Sequence, residues 1–303
     1  MRISIALCTF NGMPYIGEQL ASIANQTRPA DELVISDDGS TDGTLEAVEQ
    51  ARARIVRNPR RLGTTRNFAE AIATCTGDVI FLADQDDIWD PRKIEVMTGA
   101  LESADCVFTN ARLERGLLWD YIGFTRGERR RVRRGHAFDV LLRHNVATGA
   151  TMAFRSQWRE AILPIPDGIP HDRWIALILS AVGRVDCLDA PLIDYRQHAG
   201  QQTGIGGRVS AARRIELART TGSAEWKRRA DELRLALPRL EQLGAARRAF
   251  QLRDYVDHLD TRATLPGSFS ARASLVIREL PRYFRHSRHV LSMAKDLLAS
   301  GRT

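Results

Sequence analysis

The sequence predicts an α/β protein: a mostly parallel sheet flanked by helices, followed by a basic helical extension. Three observations carry that reading. Short apolar runs alternate with amphipathic helical segments over the first 110 residues, the order that builds parallel sheets through crossover helices. Two of the runs lead into acidic clusters, Asp37-Asp38-Gly39-Ser40 and Asp84-Gln85-Asp86-Asp87. The carboxyl ends of strands are where open α/β sheets take ligands. Charge is also split along the chain: residues 207–303 hold 20 Lys/Arg and 10 Asp/Glu, against 24 and 27 before them.

The elements follow in order. Residues 3–7 read as the first strand, and Ile16, Leu20 and Ile23 recur at helical spacing after it. Residues 33–36 are a second strand, with a helix beginning near Thr44. Residues 53–56 make a short third strand before the turn at Asn58-Pro59. A helix over residues 65–75 sets Phe68 and Ile72 on one face. Residues 79–83 are apolar on both faces, as in a strand buried within a parallel sheet. Asp90-Pro91 is expected to open a helix with proline at its first position, and residues 106–109 form a further strand.

Beyond residue 110 the pattern loosens. Residues 126–134 contain six arginines, read either as a mobile loop that meets phosphates or as a solvated charge run. Residues 146–154 resemble a strand broken by Gly149, residues 171–182 an apolar helix, and residues 192–195 a short strand ending in Arg196-Gln197-His198. The glycine-rich residues 204–207 suggest a linker, so the expected domains are 1–205 and 206–303. In the second, Trp226, Ala230, Leu233, Leu237 and Leu240 form a helical stripe that Pro238 interrupts. Residues 270–300 interleave Leu275, Val276, Leu280, Phe284, Leu291 and Leu298 with Arg272, Arg278, Arg282, Arg285, Arg288 and Lys295. That pattern suits a helix lying on an anionic membrane surface, or one packing on its own domain.

The 303 residues, 44% hydrophobic and 27% charged, are ordinary for a soluble globular protein. Cys8, Cys75, Cys106 and Cys187 lie far apart in apolar runs and suggest reduced core thiols of a cytoplasmic protein. The opening strand leaves no leader to be expected, and no apolar stretch nears the ~20 residues that span a bilayer. No GxGxxG follows the first strand and no GxxxxGK[ST] occurs, which excludes the dinucleotide fingerprint and the P-loop. Asp84, Asp86 and Asp87 repel one another unless a cation holds them. Mg²⁺ or Mn²⁺ with a phosphate-bearing substrate is the natural partner; either acidic cluster alone also suits a solvated turn or a helix cap.

Thr9-Phe10-Asn11, Asp37-Asp38-Gly39-Ser40 with Asp42-Gly43-Thr44, and Gly77-Asp78 leading to Asp84-Gln85-Asp86-Asp87 together resemble glycosyltransferase family 2. The bacterial rhamnosyltransferase-like branch is the most similar, through Asp84-Gln85-Asp86-Asp87-Ile88-Trp89, His171-Asp172-Arg173-Trp174 and Tyr195-Arg196-Gln197-His198. The resemblance covers residues 1 to about 200. It implies the GT-A fold and inverting, metal-dependent transfer of a sugar from a nucleotide-diphosphate donor. By resemblance, Thr9, Asn11, Asp37, Asp38, Arg66 and Asn67 face the nucleotide. Asp84 contacts the ribose, Asp86 the metal (Mg²⁺ or Mn²⁺), and Asp87 leaves that assignment ambiguous by one residue. Asp172 is the implied base, with capping of its helix as the structural alternative, and His198 the implied metal or diphosphate contact. Trp174 is expected in the core, and Trp89 either there or at a sugar face.

The implied donor is dTDP-rhamnose, with UDP-linked hexoses next. The implied acceptor is a glycan or lipid-linked glycan of a bacterial surface polysaccharide, and the implied location is cytoplasmic, peripheral on the inner membrane face. Two alternatives remain. A nucleic-acid-binding protein would use the arginine-rich run, but no aromatic residue interleaves with residues 126–134 to stack on bases, so no nucleic-acid partner is expected. A nucleotidyltransferase would need a basic glycine loop after strand one, and residues 9–12 lack it.

Overall fold

The computed structural model describes residues 1–198, 223–266, 268–286, 293–294 and 296–297. The chain divides into two compact units, Met1–Ile205 and Gly206–Thr303. The linker expected at residues 204–207 lies outside the described residues, as do Leu291, Leu298, Arg288 and Lys295 of the expected C-terminal helix.

The first unit is built on one sheet. Its strands are β1 (Ile3–Thr9), β2 (Glu32–Asp37), β3 (Arg54–Arg57), β4 (Val79–Asp84), β5 (Ile88–Trp89), β6 (Cys106–Leu113), β7 (Gly116–Leu117), β8 (Met152–Arg155) and β9 (Val185–Asp194). They lie in the order β3-β2-β1-β4-β8-β6-β9-β5, with β7 on β6. β3, β2, β1 and β4 are mutually parallel. All seven residues of β1 and five of the six in β4 are buried, as expected for strands covered on both faces. Helices α1 (Ile16–Ala24), α2 (Thr44–Glu49) and α3 (Thr64–Thr74) connect these strands, and α3 buries Phe68 and Ile72 as the sequence predicts.

Strand order reverses between β1 and β4. That switch point opens a crevice at the strands' carboxyl ends. Register brings the two acidic clusters there, since Thr9 pairs with Asp37 and Cys8 with Asp84.

The far half of the sheet is mixed. β8 runs antiparallel to both β4 and β6, and β5 antiparallel to β9. The chain reaches β8 from β7 through residues 118–151, a helical connection that ends in a 3₁₀ turn, Gly149–Thr151. The broken strand expected over residues 146–154 is therefore this turn and a short strand.

Two further expectations are corrected. Asp90-Pro91 forms a turn instead of opening a helix: Asp90 N–H extends the β5–β9 pairing to Leu192 O at 3.0 Å, so α4 starts two residues later (Lys93–Ala100). Residues 126–134 are not a loop. A capping box between Thr125 and Glu128 starts α5 (Arg126–Arg131), which runs into a π-turn at Val132–His136. Arg129 and Arg133 both pair with Asp189 of β9. An acidic residue of a distant strand thus anchors two of the six arginines, a partner that no local pattern discloses. The helix read over residues 171–182 is present as α6 (His171–Val182).

Among its described residues the second unit contains α7 (Ser223–Arg234), α8 (Leu237–Gln242), α9 (Ala246–Ala263), α10 (Phe269–Arg278) and α11 (Leu280–His286). Pro238 lies in the first turn of α8, where its missing N–H costs nothing, and it divides the predicted stripe into two helices. Ala230, Leu233, Leu240, Leu252, Leu259, Val276 and Tyr283 form the core. Phe269, Ile277 and Phe284 remain exposed. Among the described residues no helix is long and apolar enough to cross a membrane.

Candidate active site

The crevice is framed by the loops after β1, β2 and β4. Asn11 holds φ +48°, a left-handed conformation that asparagine tolerates. Its Oδ1 accepts from Thr41 N–H at 2.9 Å, and its own N–H donates to Ser40 Oγ at 2.9 Å. Gly12 N–H donates to Thr44 Oγ1 at 2.8 Å. The β1 loop is thereby laced to the β2 loop before any ligand arrives.

Asp37 is the knot of that lacing. Its carboxylate accepts from Thr9 Oγ1 (2.7 Å), Ser40 Oγ (2.6 Å), Gly39 N–H (3.0 Å) and Ser40 N–H (2.9 Å). Asp38, also buried, accepts Leu62 N–H at 2.6 Å and Gly63 N–H at 2.8 Å. Asn67 is buried on α3, receiving Asn58 Nδ2 at 2.9 Å and donating to Thr9 O at 3.3 Å. Arg66, one residue away, is exposed and forks onto Asp167. The structure therefore gathers Thr9, Asn11, Asp37, Asp38 and Asn67 into one network. Arg66 lies outside it.

The second cluster is organised by Gln85. Its Oε1 accepts Phe10 N–H at 2.8 Å and its Nε2 donates to Phe10 O at 3.1 Å, so one side chain imitates a strand partner for the β1 loop. A Cβ on Gly12 would fall 2.6 Å from that Oε1, which explains the glycine. Asp84 ends β4, and its carbonyl accepts Gln19 Nε2 of α1 at 2.7 Å. Asp86 Oδ2 lies 2.9 Å from His198 Nε2, bringing together two residues 112 positions apart. The His198 ring stacks on Tyr15, with centroids 4.3 Å apart.

Asp87 behaves differently. It is fully buried, and neither carboxylate oxygen has a hydrogen-bond partner of normal geometry. Below it lies Lys93, also fully buried, whose ammonium donates to Ala150 O at 2.6 Å and sits 3.7 Å from the centre of the Trp89 ring. Trp89 is thus a core residue, as is Trp174, whose indole donates to Ile162 O at 2.7 Å. Burial raises the pKa of Asp84, with Asp86 and Asp172 adding to the rise and Lys93 opposing it. Burial likewise raises Asp87, with Asp84 and Asp86 adding, while Lys93 and the backbone N–H of Arg196 oppose the rise. Burial lowers Lys93 while Asp87 and Asp84 oppose that fall. A second positive charge at Asp86 would favour the ionised carboxylates, for the same Coulombic reason.

Asp172 enters from the first turn of α6. Proline 170, not Asp172, occupies the N-cap position. Asp172 Oδ1 accepts Arg173 N–H at 2.6 Å and faces Asn145 Nδ2 at 3.4 Å. Beside it, the His171 ring stacks on Phe68 with centroids 3.9 Å apart. Burial lowers the pKa of His171, which keeps the ring neutral, and only the charge of Asp172 opposes this.

Among the described residues, no three His, Cys, Asp or Glu side chains converge as a metal cage. Asp86 and His198 offer one carboxylate and one imidazole. That fits a cation such as Mg²⁺ or Mn²⁺, which binds through one or two protein ligands and fills its remaining positions with phosphate oxygens and water.

A sequence profile of glycosyl transferase family 2 matches residues 4–162. The chain belongs to glycosyltransferase family 2. A glycosyltransferase of Haemophilus influenzae is 25% identical over 232 residues, covering 67% of this chain and 68% of that protein. The abequosyltransferase RfbV of Salmonella typhimurium is 33% identical over 124 residues, or 38% of this chain and 37% of its own length. Among solved structures, S. aureus TarS with UDP-GlcNAc superposes with a TM-score of 0.57 at 17% identity, covering 98% of this chain and 88% of TarS. The mannosyltransferase PcManGT of Pyrobaculum calidifontis, with GDP-Man and Mn²⁺, gives 0.53 at 19% identity, covering 98% and 85%. The fold of this family 2 transferase is thus of the GT-A type.

The sequence motifs do not point to Lys93, Asn145 or Tyr15 at the site, and although Gln85 and Arg196 stand within them, their bridging contacts are visible only in the fold. One signal was available for Lys93. The chain has 44 Lys/Arg, and Lys93 is its sole lysine before residue 227. A lone lysine in an arginine-rich chain suggests a place where only a compact ammonium fits.

Proposed function

We propose that this family 2 enzyme is an inverting transferase that moves a sugar from a nucleoside-diphosphate donor to a lipid-linked glycan acceptor, with residues 1–205 as the catalytic domain. What carries the reading is the meeting of Asp86 and His198 at 2.9 Å in the switch-point crevice, with Asp84 beside it and the charge of Asp172 acting on Asp84. Thr9, Asn11, Asp37, Asp38 and Asn67 shape the nucleotide side. Asp84 is the ribose contact, and Arg66 joins it only by releasing Asp167. Asp86 and His198 are the metal contacts; Asp87, being fully buried, serves from behind. Bound Mg²⁺ or Mn²⁺ would offset the charge that develops on the departing diphosphate.

The proton transfer belongs to Asp172. Its carboxylate takes the proton of the acceptor hydroxyl as that oxygen attacks the anomeric carbon. The bond from that carbon to the diphosphate oxygen breaks, and nucleoside diphosphate leaves with the electron pair. Attack from the face opposite the leaving group inverts the configuration in one displacement. Asn145, 3.4 Å from Asp172 Oδ1, holds the base in orientation.

By the motif resemblance dTDP-rhamnose is the first donor to test, and UDP-linked hexoses the second. A bacterial surface polysaccharide is the proposed product. The reading is tested by thermal shift with dTDP, UDP, GDP and their sugars, with and without Mn²⁺, on the wild type and on Asp86→Ala. Stabilisation by one nucleotide class that needs Mn²⁺ and disappears in the variant is expected. A folded protein that responds to none of them overturns the reading.

The basic helical region over residues 206–303 is proposed as a peripheral contact to anionic lipid. Exposed Phe269, Ile277 and Phe284 favour this; pairing of Arg282 and Arg285 with Asp254 limits the charge available. Flotation with anionic vesicles, lost in Ile277→Asp/Phe284→Asp, supports it, and unchanged flotation of that variant removes it.

A further inference from the structure

Arg196 lies two residues before His198 and touches neither acceptor nor donor in the scheme above, yet its contacts hold the site together. Its Nε donates to Asp86 O, its Nη2 to Tyr15 O at 3.1 Å and Asp87 O at 3.3 Å, and its Nη1 to the Glu18 carboxylate. The guanidinium also sits 5.0 Å from the Tyr15 ring centre. The opposite role of that ring is to stack on His198. The carbonyls of Asp86 and Asp87 lie past the end of β4, where no strand supplies N–H donors, and such carbonyls need a partner when shielded from water.

We propose that Arg196 is a positioning residue that assembles the metal-binding pair. Its planar fork fixes three segments at once: the start of α1 through Tyr15 and Glu18, the loop after β4 through two carbonyls, and its own segment after β9. Tyr195 N–H still donates to Arg112 O of β6 at 2.8 Å, but residues 196–198 run on past the end of β9, and the fork ties that stretch to the site where His198 meets Asp86. The fork supplies the seat and Tyr15 supplies the platform that orients the imidazole. An ammonium cannot replace it, since three carbonyls and a carboxylate are met at once by the guanidinium's fixed fork of donors and not by a point charge. Groups that orient metal ligands from behind typically change metal affinity ~10–100-fold when removed.

This inference rests on the proposed metal role of Asp86 and His198. The test is titration of free Mn²⁺ by electron paramagnetic resonance, on the full chain without nucleotide. Wild type, Asp86→Ala, Arg196→Met, Arg196→Lys and Tyr15→Leu are compared, with folding checked by circular dichroism. Expected is a weakening of Mn²⁺ binding by about tenfold or more in both Arg196 variants, approaching Asp86→Ala, and a smaller loss in Tyr15→Leu. A purely structural role would lower the melting temperature of Arg196→Lys while leaving its Mn²⁺ affinity as in the wild type, and that result overturns the inference alone. Should Arg196→Met fail to fold, Arg196→Lys and Tyr15→Leu decide. Absence of Mn²⁺ binding by the wild type overturns the metal reading and the inference with it.

Discussion

Both units bury carboxylates, and they treat them in opposite ways. In the helical unit Asp254 meets Arg282 at 2.8 Å, Arg285 at 2.5 Å and His286 at 2.9 Å, while Asp296 meets Arg262 at 2.7 Å and Tyr283 at 2.5 Å. At the end of the sheet, Asp87 has no such partner, and the nearby ammonium of Lys93 is turned to a carbonyl instead. Carboxylates with donors on both oxygens hold a fold and have little capacity left for a ligand. Buried charge left short of partners costs stability and is retained where a ligand completes it. The helical unit spends its arginines on architecture; at the end of the sheet Asp87 is left without such a partner.

The largest effect should come from breaking a satisfied pair. Arg262→Met leaves Asp296 buried and uncompensated, and removes the guanidinium 3.8 Å from the Trp226 ring. A loss of about 3–5 kcal/mol is expected. Hydrogen exchange should locate it in peptides from residues 223–263, leaving β1 and β4 protected as before. Loss of protection spread equally over the sheet would contradict the division of labour. Next in size is Asp172→Asn, which removes the base without removing volume. A fall in kcat of at least about 10²-fold is expected, with nucleotide-dependent thermal shifts unchanged. Near-normal kcat would return Asp172 to a helix-start role.

How much of this was legible beforehand follows the same division. Apolar runs and acidic clusters gave the four parallel strands and the crevice between Asp38 and Asp86, because both faces of those strands are buried and period carries that information. The α6 helix was legible to the residue. For residues 126–134 the loop alternative fails and an exposed, charged helical run is what forms; the pairing of Arg129 and Arg133 was not legible because Asp189 lies more than fifty positions away. Roles inside the network were hidden for a similar reason. Asp37 and Asn67 look like ligand contacts in a motif, yet four donors already hold the one and Asn58 the other. Nothing local marks Arg196 as the residue that spans three segments. Sequence discloses where charge gathers; only the fold discloses which charges are already answered.

The comparison is sharpest in two isosteric substitutions with opposite expected signs. Contacts with His286, Arg282 and Arg285 lower the pKa of Asp254 to about 2, against the opposing effect of burial. A carboxylate depressed on folding stabilises above its unfolded pKa of about 4, and this contribution fades as pH falls through the folded value. Asp254→Asn should therefore cost about 1–2 kcal/mol at pH 7, and progressively less between pH 4 and pH 2. Burial raises Asp87 instead, so the native carboxyl holds its proton more tightly than the unfolded chain does. Stability then falls as pH rises above the unfolded value. Asp87→Asn removes this penalty, and a gain of no more than about 1 kcal/mol is expected at pH 8, where an unsatisfied buried group is exchanged for a neutral one of the same shape. Little change is expected at pH 4. Denaturant unfolding of both variants at pH 4 and pH 8, followed by hydrogen exchange in each unit, measures the two slopes. If Asp87→Asn instead destabilises at pH 8 as Asp254→Asn does, then Lys93 is answering Asp87 as the arginines answer Asp254. The contrast between the two units would then be one of geometry and not of satisfied against unsatisfied charge.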